Sequence, residues 1–205
     1  MTKDNLLATV EPDYPCPFGY KMVWYVVKDD SPLSVIEKLN LDIMAQSNWE
    51  NGINAVYKKD AIFVSPSLDG YILVVGLVYV AEDQEIVKEH SFLFDELQYF
   101  ASHRIVDYHA WAKFVDHNLI RAYTYIGESG EITWNEGDIT IEELKLGFDT
   151  FPASFPASDD SSWDEVDLPN EESVLDISKA WGIDTSFTDK TYEKSTGYLC
   201  RIKEH

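Results

Sequence analysis

Two short, almost wholly apolar runs constrain this chain more than anything else in it. Tyr20 to Lys28 reads YKMVWYVVK and Tyr71 to Ala81 reads YILVVGLVYVA. Both are dense in β-branched and aromatic residues, and both are bounded by turn residues. Asp29-Asp30-Ser31-Pro32 follows the first, while Asp69-Gly70 precedes and Glu82-Asp83 follows the second. Neither approaches the ~20 residues that a membrane-crossing helix needs. Their length and composition belong to buried strands at the centre of a sheet, the first of them covered on both faces toward its end.

The remaining patterns supply the elements around that sheet. Ser31 caps a helix with Pro32 at its first position, and Leu33, Ile36, Leu39 and Ile43 recur at helical spacing. Ser47-Asn48-Trp49-Glu50 is a second helix start, placing Trp49, Ile53 and Val56 or Tyr57 on one face, with Asn51-Gly52 as a competing turn signal. Ala61 to Ser65 is a strand joined to Tyr71 by Ser-Pro-Ser-Leu-Asp-Gly. Glu89 to Ser102, with Phe92, Leu93, Leu97 and Phe100 on one side, predicts an amphipathic helix. Three segments, 108 to 115, 119 to 126 and 131 to 134, alternate and are separated by turn residues, which predicts an antiparallel meander. Thr140-Ile141-Glu142-Glu143 is a capping box for a brief helix ending at Gly147. A helix over 171 to 181 and a closing strand over 197 to 203 complete the chain.

These elements predict one α+β domain over residues 1 to 205, mainly an antiparallel sheet with amphipathic helices packed on it. An irregular lead-in covers residues 1 to 19, which hold Pro12, Pro15 and Pro17. An acidic loop covers residues 149 to 172, and no residue-level repeat relates the two halves.

Charge and cysteine usage narrow the functional classes. Sixteen Lys and Arg face 37 Asp and Glu, a formal charge of −21 that repels nucleic-acid phosphates. Cys16 and Cys200 have no zinc or redox spacing, so two unpaired thiols in a reducing cytoplasm are expected, with no metal and no cofactor. The N-terminal residues lack a signal-peptide apolar region and no Asn-x-Ser/Thr sequon occurs, which again points to the cytoplasm and away from a membrane.

Candidate chemistry is sparse. His103, Asp107, His109, Asp116 and His117 fall within fifteen residues, although their spacing fits no standard metal motif. Alternation places His109, Trp111 and Lys113 on one face of a strand. Glu128 and Glu136 flank the last meander turn and are candidates for paired carboxylates. A hydrolase or small-molecule pocket built from His103, His109, Glu128 and Glu136 requires all four to meet in one cleft. No nucleophile elbow and no phosphate loop is present. The most charged feature is the run from Asp159 to Glu172, seven acids with no basic residue. Asp159, Asp160, Asp164, Glu165 and Asp167 surround Trp163 there, a composition suited to docking a cationic surface. Halophilic adaptation would spread acid evenly, whereas Asp149 to Asp189 holds 11 acids and one Lys.

Several segments resemble a pattern found in uncharacterised bacterial cytosolic proteins. They are Asn48-Trp49-Glu50-Asn51-Gly52-Ile53, Val64-Ser65-Pro66 with the following run from Gly70 to Gly76, Gln98 to Arg104, Tyr108 to Ala112, and Trp134-Asn135-Glu136-Gly137. Together they span roughly residues 48 to 137, and small acidic proteins of this style are similar to toxin-immunity proteins. The resemblance implies a non-enzymatic protein that neutralises a basic bacterial toxin, and it assigns no site residue.

Overall fold

The structure, a computed structural model, describes residues 10–58, 61–78, 83–105, 107–148 and 169–203. At its centre is β1 (Val23–Lys28), flanked by β4 (Tyr71–Val75) and β5 (Glu96–His103), both antiparallel to it. Outward from β4 lie β3 (Ile62–Val64), β9 (Thr196–Ile202) and β2 (Leu41–Asn48). Outward from β5 lie β6 (Tyr108–Val115), β7 (Asn118–Ile126) and β8 (Glu131–Glu136). The result is a nine-stranded sheet in the order β2-β9-β3-β4-β1-β5-β6-β7-β8.

Alternation along β1 divides its side chains between two cores. Tyr25 and Val27 join Leu97 and Tyr99 of β5 on one face, with Val35 and Ile36 of α1 (Pro32–Lys38) and Val87 of α3 (Gln84–Ser91). Trp24 and Val26 join Phe100 and Trp111 on the other. That second core also holds Trp49, Ile53 and Val56 of α2 (Trp49–Tyr57) and Val174, Ile177 and Trp181 of α5 (Glu171–Trp181). Trp24 stacks on Phe100 at 5.2 Å between ring centroids, and the Trp181 ring is tilted against Phe100 at 5.7 Å.

Two expected elements differ. Helix α1 stops at Lys38 instead of continuing through Ile43, because Asn40 adopts φ +52, a left-handed conformation that Asn tolerates. Leu41–Asn48 then becomes a strand whose partner β9 lies some 150 residues further along, and Gln46 Nε2 donates to Thr196 Oγ1 at 2.7 Å. The expected helix over 89 to 102 is instead the end of α3, a turn, and β5. Leu97 and Phe100 fit a helical stripe, but they occupy opposite faces of a strand buried on both sides, while Phe92 is 66% exposed.

The part of the lead-in that the structure describes, residues 10 to 19, is anchored at Asp13. The Asp13 carbonyl accepts from the Ser195 N–H at 2.8 Å, and its carboxylate accepts from the N–H groups of Trp49 and Glu50 at 2.6 and 3.0 Å. A carboxylate there satisfies the free donors at the start of α2 and complements the helix dipole. Glu171 and Glu172, at the end of the acidic run, form the first turn of α5, as the expected helix over 171 to 181 requires. No helix among the described residues is long and apolar enough to cross a membrane.

The Asn51-Gly52 turn signal is resolved in favour of the helix. Asn48 caps α2 by accepting from the Asn51 N–H at 3.1 Å, and Gly52 lets the helix press directly on β3. A Cβ at Gly52 would collide with the Phe63 ring. Gly52→Val is therefore expected to destabilise the protein by about 1–3 kcal/mol in urea denaturation, through overpacking and not through helix propensity.

Candidate functional site

Helix α5 borders two neighbouring concave surfaces of the described protein. Its start is fixed by a reciprocal cap: the Asn170 side chain accepts from the Ser173 N–H at 3.0 Å, and the Asn170 N–H donates to Ser173 Oγ at 3.1 Å. Gly182 at φ +144 ends it. With Val174, Ile177 and Trp181 turned into the sheet, the other side carries Glu171, Glu172, Leu175, Asp176 and Lys179 along a groove. The groove has two lobes of about 430 and 810 Å³, and Tyr20, Tyr57 and Glu172 belong to both.

The smaller lobe runs between α5, Pro17 to Tyr20 and the loop at Asp184. Its cation is already neutralised: Lys179 Nζ lies 2.7 Å from Asp189 and 3.7 Å from Asp184, and the Asp189 carboxylate holds the ammonium above its ordinary range. Among the described residues, Glu172 and Asp176 have no cationic partner. Tyr20 and Tyr57 remain 50% and 44% exposed beside them. Burial pushes the Tyr57 hydroxyl above its ordinary range despite the opposing Gly19 N–H, so it is a neutral phenol near pH 7.

The larger lobe is built on the turn between β5 and β6. His109 is 1% exposed, and its Nε2 lies 2.8 Å from Asp107 Oδ1. Asp107 sits at φ +52 and its carbonyl accepts from the Gly127 N–H at 2.9 Å. A Cβ at Gly127 would occupy the place of the Asp107 carboxylate. The buried Nδ1 of His109 has neither donor nor acceptor among the described residues. Its cross-strand neighbour Ser102 donates to Glu171 Oε1 at 3.4 Å, and Lys21 and Arg104 complete the lining.

The four candidate pocket residues do not converge. His109, Trp111 and Lys113 do share a face, the one bearing Trp181, over whose ring the Lys113 ammonium lies at 5.7 Å. His103, paired with Tyr108, belongs to the opposite face and is exposed. Glu128 is exposed in the turn after β7. Glu136 lies at the far end of β8, where it accepts from Trp134 Nε1 at 3.1 Å on the α3 side. Asp116 and His117 occupy the other end of β6 from Asp107. Only His109 of the four lines the groove, and its carboxylate partner is Asp107. The acidic docking candidates Asp159, Asp160, Trp163, Asp164, Glu165 and Asp167 lie outside the described residues.

Neither thiol is poised for nucleophilic work. Cys16 and Cys200 are unpaired; burial pushes Cys200 up to about 12, and burial with Asp13 and Glu50 pushes Cys16 up to about 11. Among the described residues no three His, Cys, Asp or Glu side chains gather in a form that could hold a metal ion.

The largest polar arrangement was only half legible in the sequence. The capping box over α4 (Ile141–Lys145) forms as expected, yet Glu143 also sits fully buried against Arg121 of β7. Arg121 Nε donates to both Glu143 oxygens at 2.9 and 3.1 Å, Trp111 Nε1 donates to Oε1 at 2.8 Å, and the Thr140 N–H donates to Oε2 at 2.7 Å. Its guanidinium also reaches the Ala122 carbonyl at 2.9 Å and Asn135 Oδ1 at 2.8 Å. This network ties α4 to the sheet. Comparison with protein-family models, curated proteins and solved structures finds no match.

Removing one partner of the buried pair strands the other charge in the interior. Glu143→Ala is expected to cost about 3–5 kcal/mol in denaturant unfolding. The double variant Arg121→Met with Glu143→Leu is expected to lose less than that single change, because neither buried charge remains.

Proposed function

We propose that this chain is a non-enzymatic cytoplasmic interaction protein that engages a basic protein partner, in its most concrete form an immunity protein neutralising a bacterial toxin. The observation that carries the proposal is the smaller lobe of the groove. Among the described residues Glu172 and Asp176 have no cationic partner there, beside two half-exposed tyrosines, while Lys179 is already bound by Asp184 and Asp189. A lysine or arginine of a partner, entering between those rings, would find carboxylates to pair with and aromatic faces to lie against.

Chain connectivity supports the same direction. Residues 159 to 167 precede α5 directly, and in them Asp159, Asp160, Asp164, Glu165 and Asp167 add five negative charges around Trp163. A surface of this sign draws a cationic partner into encounter and repels acidic ones. In this reading α2 and α5 are amphipathic helices laid over one sheet face, and their outer edges frame the docking groove. The hydrolase alternative is weakened by the separation of His103, His109, Glu128 and Glu136.

The test is capture from the native host with wild-type protein beside two variants. One carries Asn or Gln at Asp159, Asp160, Asp164, Glu165 and Asp167; the other carries Glu172→Gln with Asp176→Asn. The wild type is expected to retain a basic protein that both variants retain about tenfold less well, with capture falling as salt rises from 50 to 300 mM by a similar factor. Co-expression should relieve the toxicity of the captured protein. Equal capture by all three proteins, or capture of nothing basic, overturns the proposal.

A further inference from the structure

The two edges of the nine-stranded sheet are defended differently. Strand β8 closes one side with Glu131 and Glu136 exposed along it, and the Gln84 side chain of α3 already donates to its Thr133 carbonyl at 2.7 Å. Strand β2 closes the other side with four consecutive exposed residues, Ile43-Met44-Ala45-Gln46, none of them charged. Neither Lys nor Pro occurs in Leu41–Asn48, and its single charge, Asp42, is paired with Arg201 of β9 at 3.9 Å. Sheets ordinarily protect a free edge with such residues, because its outward N–H and C=O groups are a template for another strand.

Side chains at this edge are as open as its backbone. Ile43 pairs with Cys200 and Leu41 with Ile202, so alternation puts all four on the face whose core includes Leu41 and Cys200. That core runs out uncovered at the edge: Ile43 and Met44 are each 48% exposed, and Ile202 is half-exposed on the same face as Ile43. The bulge between Ile43 and Ala45 leaves Met44 without a ladder partner in β9 and keeps the regular stretch short, which suits a reversible join.

Charge selects the occupant. A cationic partner finds no carboxylate on this strand except the already paired Asp42. Two copies at −21 repel one another over most of their surface, whereas the run from Ile43 to Gln46 brings no charge to a join. An antiparallel pairing centred on Met44 sets Asp42 opposite Gln46 of the other copy, so no like charges face each other. Using the same edge on both copies also closes the assembly, while a join of β2 to β8 would run on as a filament.

We propose that this chain forms a two-fold dimer by antiparallel pairing of β2 with β2 of a second copy, joining their sheets edge to edge. Each copy then covers the half-exposed Ile43 and Met44 of the other and satisfies its outward backbone groups. Among the described residues β2 contributes none to the lining of the groove, and neither proposal requires the other.

The experiment is sedimentation equilibrium of the full chain over about 5–500 µM protein, in about 50 and about 300 mM salt. A monomer–dimer equilibrium is expected, tightening at the higher salt as repulsion between like-charged copies is screened, the opposite of the salt response of basic-partner capture. Met44→Glu is expected to weaken the dimer by about tenfold or more, because the two-fold axis brings the introduced carboxylates together. Ile141→Glu, the same charge change at an exposed position of α4, is expected to leave it within about twofold of the wild type. Hydrogen exchange of the wild type is expected to slow at the amides of residues 43 to 46 as concentration rises, with β8 unchanged. A monomer at every concentration, equal weakening by the two variants, or concentration-dependent protection that spares β2 overturns the proposal.

Discussion

Burial of the sheet on both faces is the constraint from which the rest of the molecule follows. Trp24, Tyr25, Val26 and Val27 are consecutive and all 0% exposed, so the chain has to supply cover on each side of β1. Side chains of α1 and α3 contribute to one core, and those of α2 and α5 to the other. Alternation then decides the fate of every residue on the neighbouring strands, including the separation of His103 from His109 by a single step in register. The groove exists because the outer side of α5 meets the anchored lead-in and the β5–β6 turn, and not because any local motif specifies a pocket.

Electrostatics acts on this frame in two distinct ways. Inside, Arg121 and Glu143 are fully buried and satisfy one another through a fork of hydrogen bonds that also engages Trp111 and Thr140. Its worth lies less in net stability than in fixing where α4 sits, since either charge alone would be costly in that interior. Outside, carboxylates outnumber cations in the lining of both lobes of the groove. Among the described residues, Glu172 and Asp176 have no cationic partner in the smaller lobe, with Tyr20 and Tyr57 beside them.

Much of the architecture was readable one segment at a time. The caps at Ser31, Asn48 and Thr140 and the meander from β6 to β8 all depend on neighbours close in the chain. The errors fell where distant pairing competes with helical spacing. Ile43 continued an apparent helix stripe, yet β2 takes its hydrogen bonds from β9. Leu97 and Phe100 imitated one helix face, yet β5 is a strand with a core on either side. A strand buried on both faces loses the period-two signal that would distinguish it from a helix.

The groove was less legible than the fold for a related reason. His109 was a candidate in the sequence, and Glu143 was a recognisable capping residue, but their partners Asp107 and Arg121 acquire meaning only through a turn geometry and a cross-strand register. Lys21, Arg104, Tyr20 and Tyr57 carry no motif at all. By itself the sequence determined a mainly antiparallel α+β architecture, a strong negative charge and the local helix starts, because short-range sterics, capping and burial preference are written in adjacent residues. Tertiary structure alone decided which side of the sheet each histidine occupies, which carboxylates keep a cation, and where a concave surface forms. Those outcomes depend on strands and helices brought together from far apart in the chain, where the spacing of residues along the sequence no longer reports their separation in space.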